Sequence, residues 1–330
     1  MKRFFLICVF LAFATLIKFD NRVPNPYVGG FFNSHFNNFD LNNDGLDDLV
    51  VFDRKDDRIL TFIKRNKDVG DFFSYAPKYE AGFPVPGFPV SFITKDYNQD
   101  GKKDLFFTND AGEIIIYKNV STSDNIDFEL VTEKLKGYFP SQSDTAKQII
   151  YVNRTDIPAF DDIDGDGDLD IAIFARGSNI YYYKNHALEN GYSLDSLLLF
   201  EEDRCWGSFT ENARTNDLNL NDTKCIKLRR KKGQLHSGST ILLKDTDNDG
   251  DKDLILGDIG FNDLVYAENG KADYDYTRDT MINYFKGFPK SKPVDLPKFP
   301  AAFEVNVNND QAKDLESNII LQEQWLHSKA

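Results

Sequence analysis

Hydrophobic residues in this chain come in short runs separated by acidic turns. The runs DLVVF, DLFFT, DIAIF and DLILG are apolar and contain many β-branched or aromatic residues. Runs of this length and composition are typical of buried β-strands. Further apolar stretches precede the turns (FPVSFIT, IPAF, STILL and FPAAFEV). The pattern predicts an all-β chain of many short strands.

The acidic turns share a nine-residue pattern, Asp-x-Asp/Asn-x-Asp-Gly-x-x-Asp. Four copies lie at intervals of 56, 66 and 83 residues, and a degenerate fifth copy follows, at 40–48, 96–104, 162–170, 245–253 and 306–314. Spacing of this kind indicates a repeat architecture.

Each of the four good motifs is followed, 23 to 26 residues after its first position, by an apolar stretch that ends in asparagine (Asn66, Asn119, Asn185 and Asn269). A variable fourth segment comes next, with candidates at 128–131, 196–200 and 281–285. The unit therefore consists of strand, acidic loop, strand, turn, strand and fourth strand. Four antiparallel strands in about 60 residues predict a blade of a β-propeller, with the acidic loop in the first hairpin. We expect about five blades, the last one incomplete, and large aromatic side chains packed between them.

The motif suits a calcium ion, which accepts six to eight oxygen ligands, because it offers oxygen donors at positions 1, 3, 5 and 9 and a turn glycine at position 6. Zinc would require nitrogen or sulfur ligands. An EF-hand would require an acid at position 12, where this chain has Val51, Phe107, Ile173 and Leu256. The glycine-rich nonapeptide of calcium-binding β-rolls is also missing. The alternative that the turns are only solvated loops stays open.

The predicted metal ligands occupy positions 1, 3, 5 and 9 of each motif, and the third and fourth motifs have the most carboxylates. They are Asp40, Asn42, Asp44, Asp48, Asp96, Asn98, Asp100, Asp104, Asp162, Asp164, Asp166, Asp170, Asp245, Asp247, Asp249 and Asp253. The fifth copy is a doubtful site, because asparagine replaces aspartate at positions 1 and 3 and Gln311 replaces the glycine. Its candidate ligands are Asn306, Asn308, Asp310 and Asp314.

These motifs resemble the FG-GAP/VCBS repeats of integrin-like β-propellers, over roughly residues 30–320. The stretches HSGST–ILLKDTDNDGDKDLILGDI and DLPKFPAAFEV look like secreted VCBS-repeat proteins of the Bacteroidetes type. The resemblance implies calcium at positions 1, 3, 5 and 9. It also implies further repeats and a secretion-sorting domain beyond a partial chain, and it assigns no activity.

The first twenty residues read as a secretory signal peptide, because Lys2 and Arg3 precede the apolar or small stretch 4–17. An uncleaved membrane anchor is the alternative. Residues 21–330 would then form the propeller, with a long insertion at 186–235. We expect a secreted or cell-surface protein, because extracellular calcium fills weak sites.

An exported chain makes Cys205 and Cys225 in the insertion a candidate disulfide, since the third cysteine lies in the signal. Trp206 is either a packed anchor of the insertion or a recognition residue. The 330-residue chain has a formal net charge of −14, and positions 1, 3, 5 and 9 of the four good motifs alone hold fourteen carboxylates. Such a surface repels nucleic acid, and the basic run at 227–232 reads as a solvated loop.

The four histidines (His35, His186, His236 and His327) show no metal-ligand spacing, and no nucleophile elbow or phosphate loop is present. The sequence therefore favours a calcium-stabilised module that binds a protein or glycan, with no catalytic residues assigned. A polysaccharide lyase or hydrolase that uses the propeller channel is the alternative, because paired acids from different blades would be invisible in sequence.

Overall fold

The computed structural model describes residues 33–65, 73–122, 125–139, 146–175, 178–221, 239–297 and 299–306, and the backbone of 314–317. In these ranges one 3-10 helix, Pro77–Gly82, is the only helical element, so the all-β prediction is confirmed. No helix among the described residues is long and apolar enough to cross a membrane.

Four sheets of four antiparallel strands, each in chain order, form the blades. Blade 1 contains β1 (Ser34–Phe39), β2 (Asp48–Asp53), β3 (Arg58–Lys64) and β4 (Phe73–Tyr75). Blade 2 contains β5 (Pro89–Lys95), β6 (Asp104–Asn109), β7 (Ile114–Asn119) and β8 (Phe128–Thr132). A small two-stranded sheet follows, made of β9 (Lys136–Gly137) and β10 (Gln148–Ile149).

The second half of the chain repeats this plan. Blade 3 contains β11 (Ala159–Asp161), β12 (Asp170–Ala175), β13 (Asn179–Asn185) and β14 (Leu199–Trp206). A hairpin follows, made of β15 (Phe209–Asn212) and β16 (Asp217–Leu220). Blade 4 contains β17 (Ser239–Lys244), β18 (Asp253–Asp258), β19 (Leu264–Asn269) and β20 (Met281–Phe288). The last hairpin pairs β21 (Ala302–Val305) with β22 (Asp314–Ser317).

The predicted count of about five blades was wrong, because the described residues form four complete blades. The fifth motif lies in a hairpin of only two strands. This hairpin nevertheless closes the ring, since β21 contacts β17 of blade 4 and β1 of blade 1. The predicted fourth strands of blades 2 and 4 are confirmed, and that of blade 3 begins three residues later than predicted, at Leu199.

The second strand of each blade is continuously apolar because it is covered on both faces. Side chains alternate across a strand, so neighbouring residues enter different cores. In β6, Leu105 and Phe107 pack in the core shared with blade 1, whereas Phe106 packs in the core shared with blade 3. The prediction that aromatic rings pack between blades is confirmed here, for example by Phe92 of blade 2, whose ring centroid lies 6.1 Å from that of Phe52 of blade 1.

The inner strands β1, β5, β11, β17 and β21 surround a central cavity of about 150 Å³. Most of its lining is apolar, including Phe36, Ile93, Phe160 and Leu243. The propeller axis is therefore a packed core and leaves little room for a ligand.

The predicted insertion at 186–235 is partly the fourth strand of blade 3 and partly the hairpin β15–β16. Trp206 is 1% exposed and packs in the core between blades 3 and 4, so it is an anchor and the recognition role was wrong. Cys205 is disulfide-bonded. Its predicted partner Cys225 lies outside the described residues, and their pairing stays a prediction.

Candidate metal centres

Each acidic motif forms the loop between the first and second strands of its blade, as predicted. All four good copies share one backbone conformation, with positive φ at positions 4 and 6. At position 6 the angles are 82°, 86°, 97° and 98° for Gly45, Gly101, Gly167 and Gly250. At position 4 they are 58°, 56°, 80° and 66° for Asn43, Gln99, Gly165 and Asn248. Glycine is needed at position 6 because side chains there would be strained.

The aspartate at position 1 organises the loop by accepting backbone hydrogen bonds. In the first motif Asp40 accepts from the amides of Asp44, at 3.1 Å, and Gly45, at 2.8 Å. In the fourth motif Asp245 accepts from the amides of Asn248, at 2.7 Å, and Gly250, at 3.2 Å. The first carboxylate is thus held in the concave face of the turn.

The aspartate at position 9 is buried and joins the loop to the end of the third strand. Its two carboxylate oxygens accept from the amide of position 2 and from an amide at that strand end. In blade 2, for example, Asp104 accepts from Tyr97, at 3.1 Å, and Asn119, at 2.8 Å. The strand-end amides in blades 1 to 4 are those of Lys64, Asn119, Asn185 and Asn269.

The recurring asparagine at the end of the third strand is explained by its side chain. The Asn119 amide group donates to the carbonyl of Lys103 at position 8, at 3.0 Å, and its carbonyl accepts from Ser121, at 2.9 Å. Asn269 makes the equivalent bond to Lys252, at 3.1 Å. In blade 1 the equivalent position is Lys64, while the predicted Asn66 lies outside the described residues.

Acidic groups converge in the third and fourth loops. Carboxylate oxygens within 4.8 Å of one another form four groups, which are Asp162–Asp164–Asp170, Asp166–Asp168–Glu189, Asp245–Asp247–Asp249 and Asp247–Glu268–Asp273. Within the described part of the chain, the first and second loops form no such group; each has asparagine at position 3.

Several buried carboxylate oxygens in these two loops have no hydrogen-bond partner. They belong to Asp164, Asp168, Asp249 and Asp251. A buried acceptor that lacks a donor is costly unless a cation satisfies it. The donor set, all oxygen and strongly acidic, therefore fits a hard cation such as calcium.

Burial also opposes the charged form of these carboxyls. It raises the pKa of Asp48 and Asp104 to about 7 and that of Asp170 to about 8. Burial likewise raises the pKa of Asp168 and Asp251, at position 7, to about 6. A bound cation would favour the carboxylate form in each case.

The third loop is paired with a cation supplied by β13. The Lys184 ammonium lies 2.8 Å from Asp166 and 2.7 Å from Glu189, and it also pairs closely with Asp164. Burial lowers the pKa of Lys184, but its hydrogen bonds to these carboxylates outweigh burial and hold that pKa above its usual value.

Neighbouring loops touch one another, so the four motifs line one end of the propeller. Lys103 of the second loop pairs with Asp47 of the first at 2.6 Å. Asp161, next to the third loop, pairs with Lys95 at 2.6 Å and Lys252 at 3.0 Å, which belong to blades 2 and 4. Burial raises the pKa of Asp161, but these two ammonium groups outweigh burial and lower it.

Of the doubtful fifth site, Asn306 donates its backbone amide to the side chain of Asn38, at 2.8 Å. Asp314 begins β22, and Asn308 and Asp310 lie outside the described residues.

Sequence reasoning missed Asp168, Asp251, Glu189, Glu268 and Asp273. Aspartate at position 7, found only in the third and fourth motifs, was the available signal for the first two.

Comparison with known protein families supports the assignment of the repeat and gives no specific function. Residues 40–107, which span the first two motifs, match the family described as FG-GAP-like repeat. No curated protein matches the chain. Two solved structures of BBS1N in complex with ARL6DN, one soaked with mercury and one with lead, are 12% and 13% identical to it. The matches cover 88% of this chain and 91% and 90% of the two solved chains, and both have a TM-score of 0.35. The family match and the four-bladed architecture together support the resemblance to FG-GAP repeat β-propellers.

Proposed function

We propose that this protein is an exported β-propeller, stabilised by calcium in its acidic loops, that serves as a binding or adhesion module for a protein or glycan. The observation that carries the proposal is the continuous row of four acidic loops, of which the third and fourth hold buried carboxylate oxygens that lack donors. A rigid scaffold of this kind leaves its loops free to bind partners.

The geometry supports a binder over an enzyme that uses the channel. Small-molecule sites usually enclose about 300 Å³ or more. The central cavity is about 150 Å³ and mostly apolar in lining, too small for a sugar chain flanked by two catalytic acids.

Chelation tests the role of calcium. We expect EDTA to lower the unfolding temperature and millimolar calcium to restore it, because an ion that binds only the folded state at 100 times its Kd adds about 2.7 kcal/mol per site. Magnesium at the same concentration is the control and should restore less. An unfolding temperature that is unchanged by EDTA would contradict the proposal.

Binding itself is tested on glycan and protein arrays, beside a screen for polysaccharide degradation. We expect stable retention on one ligand class that is lost in EDTA. Release of products without retention would instead support the polysaccharide-degrading alternative.

A further inference from the structure

The residue that precedes the end of the third strand differs in charge among the blades. These positions are equivalent, because the next residue donates its amide to the position-9 aspartate at 2.7 to 2.9 Å in every blade. The residues are Ile63, Lys118, Lys184 and Glu268. Lys184 and Glu268 lie beside the acidic loops of their own blades.

In the third blade this position supplies a positive charge. The Lys184 side chain is 16% exposed, and its ammonium contacts carboxylates at motif positions 3 and 5 together with Glu189. An ammonium has three donors, so these three contacts use all of them. Two of the four predicted calcium ligands are therefore paired with a cation that belongs to the chain.

Lys118 in the second blade acts differently. Its ammonium lies 2.5 Å from Asp195, which belongs to the connection between β13 and β14 of blade 3. The ammonium pairs across blades, so the presence of a lysine at this position does not by itself neutralise the adjoining loop.

In the fourth blade the same position supplies a negative charge. Glu268 lies within 4.8 Å of Asp247 and Asp273, and Asp247 also belongs to the group formed by the motif itself. Asp251 is 6% exposed, and one of its oxygens has no donor, a feature that the equivalent Asp168 of the third loop shares. Among the described residues, no lysine or arginine nitrogen lies within 4.0 Å of Asp245, Asp247 or Asp249.

We propose that Lys184 is the cation of the third loop, which folds without a metal, and that the fourth loop is the principal calcium site, with Glu268 as an additional ligand. This inference rests on the calcium-stabilised scaffold proposed above. The sequence ranks the third and fourth motifs equally, since each has four carboxylates at the predicted ligand positions, whereas their contacts separate them. A calcium ion entering the third loop would have to displace an ammonium that is already bound.

Two charge exchanges at equivalent positions test this inference. Lys184→Glu copies the fourth loop into the third, and Glu268→Lys does the reverse. Calcium binding to EDTA-stripped protein is measured by titration calorimetry, and unfolding temperature is measured in EDTA and in calcium.

We expect Glu268→Lys to weaken the tightest calcium site at least tenfold and to remove more than half of the calcium-induced rise in unfolding temperature. We expect Lys184→Glu to lower the unfolding temperature in EDTA and to bind one more calcium ion than the wild type. Unchanged affinity in the first variant, or unchanged stoichiometry in the second, would overturn the inference.

Failure of this inference can be distinguished from failure of the proposed calcium-stabilised scaffold. If the wild type binds no calcium, the scaffold proposal fails, while a calcium ion gained by Lys184→Glu still supports the role of Lys184. Lys184→Gln is the second variant, in case the charge reversal prevents folding. Its unfolding temperature should fall in EDTA and recover in calcium, and a fall that calcium does not reverse contradicts the inference.

Discussion

At the scale of single residues, the position-9 aspartates show why part of the site could be predicted. Asp104 is needed both as a candidate ligand and as the acceptor for two amides, so its position in the motif is fixed by local backbone geometry. Lys184 could not be predicted in the same way. Its contacts depend on how β13 lies against a loop about twenty residues away, and sequence spacing does not determine that distance.

His35 gives a prediction at this scale. Its ring is fully buried in β1, with Nδ1 accepting from the Phe92 amide at 3.2 Å and Nε2 without a partner. Burial lowers the pKa of His35 from 6.5 to about 3. The unfolded state therefore binds the proton more tightly, so the stability this residue contributes is complete above pH 6.5 and declines as the pH falls toward 3.

His35→Asn should remove this decline, because an asparagine oxygen can replace Nδ1 as acceptor but does not titrate. Each pH unit below 6.5 should cost the wild type about 1.4 kcal/mol more than the variant. Denaturant unfolding of both proteins between pH 7.5 and 5 measures the difference, and the carboxyl groups common to both cancel. If the free energy of unfolding falls equally in both proteins as the pH is lowered, protonation of His35 costs the folded state nothing, which contradicts the prediction.

At the scale of elements, the acidic loop and the strands on either side were predictable because each is specified locally. The loop needs a glycine with positive φ, and the strands need apolar side chains on both faces. The recurring asparagine was less certain. In every blade a backbone amide makes the bond to the position-9 aspartate, so no particular side chain is required there. Blade 1 has Lys64 at this position, and the asparagine that the sequence pattern identifies, Asn66, comes two residues later.

Gly250 tests the loop conformation. Its φ of 98° strains any other residue, although a Cβ there would meet no atom within 4 Å. We expect Gly250→Ala to lower the free energy of unfolding by about 1 kcal/mol or more, through backbone strain alone.

Gly87→Ala is the matched control, because Gly87 is exposed and its Cβ would also meet no atom within 4 Å, but its φ is not positive. That change should be neutral or slightly stabilising. Chemical denaturation of the two variants in EDTA separates strain from metal binding. Equal effects would mean that the loop relaxes to another conformation.

At the scale of the whole molecule, the number of blades could not be read from the motifs. A fifth motif is present, yet it lies in a hairpin that has no third or fourth strand among the described residues. Ring closure is set by contacts between distant parts of the chain. Phe303 of β21 packs against Phe36 of β1, with ring centroids 6.1 Å apart, and nothing in either local sequence specifies that pairing.

Phe303→Ala should weaken this closure. The side chain is 7% exposed in the core that joins the hairpin to blade 1, and truncating a buried phenylalanine costs about 3–5 kcal/mol. Phe88→Ala, at a side chain that is 73% exposed, is the control and should change little. Calorimetric unfolding measures both, and a loss below 1 kcal/mol for Phe303→Ala would show that the hairpin is not part of the cooperative ring.

The hydrogen bond between Asn306 and Asn38 joins residues 268 positions apart. During synthesis from the N-terminus, blade 1 is therefore complete long before its neighbour on that side exists. Until β21 is made, the face of blade 1 that carries Phe36 lacks the cover that Phe303 and Val305 give it. Contacts between residues so far apart also form late, because the entropic cost of closing the long loop has to be met before the contacts stabilise anything. The nascent chain must keep this apolar face from other chains for most of its synthesis, so its yield of folded protein should depend on chaperones and on translation speed more than its final stability suggests.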